Sequence, residues 1–311
     1  MRDFSFVLLP EFSMLGLLAA TEPLRVANRF HGDAYRWRLL SADGRPVVAS
    51  NGMSLAAHGA WGESEAADAV LVVAGFHPLR HGGAGLLAWL RAQDAAGRVL
   101  GGIDTGCFVL AEAGLFRQQR LTLHWEALPA FRERYPLLNA TQELYELGPR
   151  RISSAGGTAS IDMMLALMAR SHGHDLAVQV SEQFVLGRIR AQSDHQRLEL
   201  GARYGVHSRK LIQALALMEK HMDAPLDSAA LAAGAGVTAR QLQRLFRAQL
   251  GAAPNVFYLG LRLEHGRRLL RQSGLNVTQV SAACGFESAS YFARAYRRRF
   301  GCAPGTERRE A

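Results

Sequence analysis

The stretch "RVLGGIDTGCFVLAEAGL", residues 98–115, passes from an apolar run through Gly101, Gly102 and Gly106 into a pattern of helical spacing. An apolar run that stops at glycine and restarts with a helical period describes a corner between a buried strand and a helix. At such a corner the neighbours must be small, because backbone crosses backbone. Gly106 is that small neighbour, and Cys107 stands beside the new helix, where a helix N-terminus lowers a thiol pKa. Downstream, "LTLHWE" offers His124 as a base. The corner has the outline of a nucleophile arrangement, but the expectation is a scaffold whose thiol is buried or lines a pocket, and not an enzyme.

Two further apolar runs, "FSFVLLP" (4–10) and "AVLVVAGF" (69–76), also end at proline or glycine and its neighbour. Helical patterns lie between and after them at 14–30, 85–97 and 108–116. This alternation argues for an α/β domain, an open parallel sheet of flavodoxin-like type with helices on both faces. Ligands of such sheets bind at the carboxyl ends of the strands, here Pro10–Phe12, Gly75–His77 and Thr105–Phe108. "SAGGTASID" (154–162) lacks the lysine of a P-loop and the spacing of GxGxxG. It reads as a close-packed turn into a helix, with Asp162 near the helix start.

Charge divides the chain. Residues 1–208 hold 20 basic and 20 acidic side chains, whereas residues 209–311 hold 16 and 7, so the whole excess of +9 sits at the back. A neutral front suits a small molecule and a basic back suits a polyanion. Three cysteines without a CxxC give neither a disulfide framework nor a zinc site, and no metal or cofactor is expected. No apolar run approaches the roughly 18 residues of a membrane helix. A cytoplasmic protein with no membrane partner is the expectation.

The back part contains a duplication: "LAAGAGVTARQLQRLFRAQLGAAP" (231–254) matches "VSAACGFESASYFARAYRRRFGCAP" (280–304). The offset is 49 up to Val237 and Phe286, and 50 thereafter. Each copy has a short Ala-rich helix, a turn with Gly236 or Gly285, and a longer helix: a helix-turn-helix in outline, so an all-α domain with two such motifs. Leu242, Leu245, Phe246 and Leu250 share one face of the first long helix, and Arg240, Gln243, Arg244 and Arg247 the other. In the second copy Phe292, Ala295 and Tyr296 face inward, while Ser290, Tyr291, Arg294 and Arg298 face outward. Arginine and glutamine make paired hydrogen bonds to guanine and adenine edges, and flanking arginines suit phosphates. Between the copies an amphipathic helix, with Val256, Leu259, Leu263 and Leu270 among its apolar positions, would hold two reading heads apart. Cys284 and Cys302 read as structural.

On "TGCFVLAEAGLF", "TLHW" and "SSAGGTASIDMMLALM", residues 3–190 resemble the class I glutamine-amidotransferase-like domain of the PfpI superfamily, in its regulator-associated branch. The resemblance implies Cys107 at the elbow and His124 beside it. Members with thiol chemistry usually carry an acid on the first helix, where this chain has Gly16. On "GF…SYF.RAYRRRFG..P", residues 209–311 resemble the AraC/XylS DNA-binding domain, which implies Arg240, Gln243, Arg244, Ser290 and Arg294 as base readers. The expected organisation is a sensing domain over 1–195, a helical linker over 196–215 and a DNA-binding domain over 216–311. The stretch 176–222 could dimerise the sensor or link the domains.

The resemblance further implies a regulator, usually an activator of catabolic genes, with double-stranded DNA, RNA polymerase, a small-molecule effector and a second copy of the chain as partners. Its branch senses arginine or methylated amines such as betaine and carnitine. Quaternary ammonium groups are held by aromatic faces, so Phe12, Phe76 and Trp125, with Cys107, Phe108 and His124, form the expected effector pocket. The alternative is an amidase or thiol hydrolase that uses Cys107 and His124, fused to a DNA-binding module.

Overall fold

A computed structural model describes residues 1–64 and 66–310 and divides the chain into two compact units, Met1–Gln196 and Arg197–Ala311. In the first unit the strands β1 (Asp3–Leu8), β2 (Arg36–Ser41), β3 (Val47–Val48), β4 (Ser54–Leu55), β5 (Gly59–Ala60), β6 (Ala69–Val73), β7 (Val99–Ile103), β8 (Leu121–Thr122), β9 (Ala140–Thr141), β10 (Tyr145–Leu147) and β11 (Arg151–Ser154) occur in chain order. Seven form one sheet in the order β10-β11-β7-β6-β1-β2-β5, parallel throughout except for β10 against β11. The apolar runs of the sequence are β1, β6 and β7, three neighbours at the centre. The other eight strands carry no long apolar run; in β2, "RWRLLS", and β11, "RISS", polar residues hide the strand character.

Strand side chains alternate between faces. Phe4, Phe6, Leu8, Leu71 and Val73 meet α1 (Met14–His31), α5 (Ala159–His172) and α6 (His174–Gln183) on one side. Val7, Val70, Val72 and Leu100 meet α2 (Ala84–Ala95), α3 (Cys107–Glu112) and α4 (Leu128–Arg134) on the other. The expected α/β doubly wound architecture is therefore present. Glycines set its centre: a Cβ on Gly101 would lie 2.3 Å from Leu71 Cδ2, and one on Gly106 only 2.0 Å from the Val72 carbonyl oxygen.

The second unit is all helix: α7 (Leu200–Tyr204), α8 (Arg209–Lys220), α9 (Ser228–Gly234), α10 (Ala239–Leu250), α11 (Pro254–Gln272), α12 (Val277–Ala283), α13 (Ala289–Phe300) and α14 (Pro304–Glu310). The duplication is visible in the boundaries, since α9 and α12 start 49 residues apart and α10 and α13 start 50 apart. Matching side chains cap the matching helices: Asp227 and Asn276 cap α9 and α12, Thr238 and Ser288 cap α10 and α13. Gly236 and Gly285 take the left-handed turn in each motif, at φ 64° and 69°.

Leu211, Ala214 and Leu215 of α8 pack with Leu231, Leu242 and Phe246 in the first core. Cys284, Phe286, Phe292 and Tyr296 pack with Leu263, Leu269 and Leu270 in the second. Helix α11 gives Tyr258 to the first core and its later leucines to the second, so one helix is shared by both heads. Val256, expected on its apolar face, is 59% exposed. It lies in the first turn, on the side away from the buried Pro254. Among the described residues no helix is long and apolar enough to cross a membrane.

Gly106→Ala should cost about 3 kcal/mol or more, because the obstructing atom is a sheet carbonyl that cannot rotate away. That loss lowers the melting temperature of the first unit by about 6–12 °C, read by tryptophan fluorescence. A variant melting within a degree of the parent would contradict the crossing.

Candidate functional site

Four neighbouring strands of the first unit, β11, β7, β6 and β1, are followed by residues at positive φ: Gly156 (82°), Asp104 (62°), His77 (49°) and Glu11 (62°). Three carry side chains, and side chains enter this region only where the surroundings hold them there. Among the described residues Val185 is the one other non-glycine with positive φ. The strain thus collects along one carboxyl edge of the sheet.

Asp104 is the residue on the strand-to-helix corner. Its N–H donates to the Ser154 carbonyl at 3.1 Å, and its carbonyl accepts from the His124 N–H at 3.4 Å. The Thr105 hydroxyl donates to the Gly75 carbonyl at 2.6 Å. A Cβ on Gly156 would stand 2.7 Å from Asp104 Cβ and Oδ2, so a glycine is required opposite the carboxyl. Ser13, which caps α1 by accepting from the Gly16 N–H at 3.2 Å, is a polar neighbour of that carboxyl. Burial pushes the Asp104 carboxyl up to about 6, against the opposing pull of His124 and Ser13.

Cys107 is not the corner residue. It is the first residue of α3, wholly buried, and its thiol donates to the Thr122 carbonyl at 3.3 Å rather than to His124. Burial pushes the thiol up to about 12, the reverse of the lowering expected from a helix N-terminus. Burial thus disfavours the thiolate, the form in which a cysteine attacks. Phe12 and Phe108 are also corrected: Phe12 is buried in the core of one face, and Phe108 packs on Phe131 at 4.9 Å in the core of the other. Phe76, His124 and Trp125 do reach the surface near the strand ends, Phe76 at 56% exposure and the others half-buried. Sequence reading missed Asp104, although it directly follows Ile103, the last apolar residue of the strand. Asp162 is where expected, in the first turn of α5, held by Arg190 at 2.6 Å.

In the second unit Arg240, Gln243, Arg244 and Arg247 are exposed on α10, and Ser290, Tyr291, Arg294 and Arg298 on α13. Leu242, Phe246, Phe292 and Tyr296 anchor the opposite faces. Shifted by 50 positions, Arg244 matches Arg294 and Arg247 matches Arg297, whereas Arg240 faces Ser290 and Gln243 faces Ala293. The two heads present unequal side chains from equal frames.

One buried carboxylate holds the second head together. Glu307 of α14 accepts from Arg267 Nε at 3.0 Å, Arg271 Nε at 2.6 Å, the Tyr296 hydroxyl at 2.9 Å and the Cys302 thiol at 3.3 Å. Burial alone would raise this carboxyl, but those hydrogen bonds overcome it and hold the group at about 2. Arg262 secures the turn, donating to the carbonyls of Cys284 (2.7 Å) and Gly285 (2.6 Å) beneath the Phe286 ring. Cys284 and Cys302 are both free thiols; Cys284 is packed in the head and Cys302 bonded to Glu307.

The geometry describes a two-part protein, a doubly wound sheet ahead of paired helix-turn-helix motifs. Residues 8–170 match the DJ-1/PfpI family, and residues 231–310 match a helix-turn-helix domain family. The HTH-type transcriptional regulator CdhR of Pseudomonas aeruginosa is 59% identical over 307 residues, which span 99% of this chain and 91% of that protein. The HTH-type transcriptional regulator GbdR of the same species is 39% identical over 308 residues, 99% of this chain and 84% of that protein. A crystal structure of an AraC family transcriptional regulator from Pseudomonas putida superposes with a TM-score of 0.55 at 29% identity, over 59% of this chain and all of that one. The chain belongs to the AraC-type helix-turn-helix transcriptional regulators that carry an N-terminal DJ-1/PfpI domain.

Two measurements check these sites. Thiol titration of the native protein should leave Cys107 and Cys284 unreacted until denaturant is added; rapid modification of Cys107 would show that the corner is more open than described. Glu307→Gln should destabilise the second unit by on the order of 3 kcal/mol at pH 7. Because the folded carboxyl titrates below its ordinary value of 4.5, its contribution is complete above that pH and is lost as pH falls towards 2. The variant should therefore flatten the acid limb of helix loss by circular dichroism. All four tryptophans lie in the first unit, so fluorescence tracks the other half separately.

Proposed function

We propose that the protein reads a specific operator with α10 and α13 and activates catabolic genes when a small nitrogenous metabolite, an amino acid or methylated amine, binds at the carboxyl edge of the first unit's sheet. It acts in the cytoplasm as a homodimer that contacts RNA polymerase, without cofactor or metal. The observation that carries this reading is the pair of exposed helix faces, Arg240, Gln243, Arg244 and Arg247 on one and Ser290, Tyr291, Arg294 and Arg298 on the other, standing on repeated frames. Arg244 and Arg294 suit guanine edges and Gln243 suits adenine, while Arg247 and Arg298 suit phosphates.

The catalytic alternative, an amidase or thiol hydrolase, needs a reactive Cys107 in contact with His124. The buried, carbonyl-bonded thiol supports a binding role for the domain instead. Phe76 and Trp125 are the aromatic faces available at the strand ends, and Phe12 is not among them.

The test is selection of duplex DNA by the purified chain, followed by titration of the selected operator. Arg244→Ala and Arg294→Ala should each weaken specific binding by about 10- to 100-fold. Arg247→Ala should instead weaken all sequences alike and lower the salt slope by about one. Unchanged operator affinity in both guanine-reader variants would overturn the assignment. A promoter reporter with and without candidate amines checks activation.

A further inference from the structure

We propose that the two heads divide the reading of the operator: the first carries most of the sequence discrimination, through Arg240, Gln243 and Arg244, and the second is an anchor with Arg294 as its one discriminating base contact. The operator is then two unequal boxes, and the pair Gln243 and Ala293 sets much of the difference between them. The inference rests on the reading of α10 and α13 as recognition helices and goes beyond it by giving them unequal roles.

The frames are equal, so a difference between the heads is a difference between side chains. Shifted by 50 positions, Leu242 and Phe246 of the first core match Phe292 and Tyr296 of the second, and the caps Thr238 and Ser288 match each other. Each matched position therefore leaves its helix in the same direction relative to its core. Three outward positions near the helix start, where base edges are met, hold Arg240, Gln243 and Arg244 on α10 and Ser290, Ala293 and Arg294 on α13. Arginine offers a pair of hydrogen bonds that suits guanine, and glutamine a pair that suits adenine. A serine hydroxyl meets any base, and alanine offers only a methyl, which fits best against the methyl of thymine. Three discriminating side chains in the first head thus correspond to one in the second.

The second head is richer where phosphates are met. Arg297 and Arg298 are both exposed in the last turn of α13, where the first head has Arg247 followed by Ala248. Arg299 is engaged by Glu264 at 3.1 Å. The contrast repeats at the helix start. Gln241 is committed to its own helix, its side chain accepting from the Thr238 N–H at 2.9 Å. The matched Tyr291 is instead 48% exposed and stands 5.9 Å from the Phe286 ring, which Arg262 covers while it donates to the turn carbonyls. A tyrosine hydroxyl held there suits a phosphate or sugar oxygen, a contact that positions the helix without reading sequence.

The test is selection from randomised duplex DNA by the full chain, repeated with substituted chains, with base preference read at every position. Arg244→Ala and Arg294→Ala show which positions belong to which head. The first box should discriminate against the wrong base by about 5- to 150-fold at each of three positions, and the second box at one. Gln243→Ala should lose an adenine preference in the first box. Ala293→Gln should create one in the second, and Ser290→Arg should create a new guanine preference there. Arg297→Ala and Arg298→Ala should weaken binding to all sequences, each lowering the salt slope by about one, with base preference unchanged.

Two equally informative boxes in the parent overturn the division of labour while leaving the recognition helices intact. So does a second box that neither Ala293→Gln nor Ser290→Arg alters, and a changed base preference in Arg297→Ala or Arg298→Ala overturns the anchoring role. If the parent prefers no sequence, the reading of α10 and α13 as recognition helices falls, and this inference falls with it.

Discussion

The Val72 carbonyl oxygen lies 2.0 Å from where Gly106 would carry a Cβ, and the front unit is organised around that crossing. With no side chain at 106, the chain leaves β7 and starts α3 directly against β6. Gly102 extends the same constraint, since a Cβ there would be 2.5 Å from the Cys107 nitrogen. The helix therefore begins with Cys107 pressed inward, among the side chains under α3. The turn in front of it must be made by one residue at positive φ, and that residue is Asp104. The tight crossing thus decides both that the thiol is sealed and that an aspartate stands on the corner.

Close approach also governs the back unit. Gly266 of α11 would bring a Cβ within 3.0 Å of the Phe292 ring and 3.3 Å of Cys284 Sγ, so α13 rests directly on the shared helix. The spacing of the two reading faces then depends on α11, because it contributes to both cores, rather than on a flexible tether. Glu307 completes the second head by linking Arg267 and Arg271 of α11 to Tyr296 of α13. A recognition helix must keep its orientation while it meets a charged polymer, and a fourfold-bonded buried carboxylate resists rotation better than apolar packing alone.

The sequence was most legible where the physics is local. Apolar runs that end at proline or glycine marked β1, β6 and β7, and the duplicated turn glycines marked both helix-turn-helix motifs, because strand burial and left-handed turns leave direct residue signatures. The site was less legible. The thiol of Cys107 carries the obvious chemical signal, while position on the corner is set by where the strand ends, four residues earlier at Ile103. Phe12 and Phe108 look like pocket walls by proximity to strand ends, yet their side chains point into the two cores, which only the pleat and the helix start determine. Ser13, His77 and Glu11 carry no motif; they meet Asp104's edge because four strand ends converge in space.

Gly16 and Asp104 both lie beside Ser13. Proteins of this superfamily that use a corner thiol usually set an acid on the first helix to tune it. Here a Cβ on residue 16 would already lie 3.0 Å from Ile103 Cγ2 and 3.1 Å from Ser13 Oγ. A carboxylate at that position would crowd the Ser13 hydroxyl that serves Asp104 and set two acids side by side, which raises the cost of ionising either. The corner therefore carries a carboxylate, while the thiol three residues on is sealed beneath α3 by the same glycine crossing.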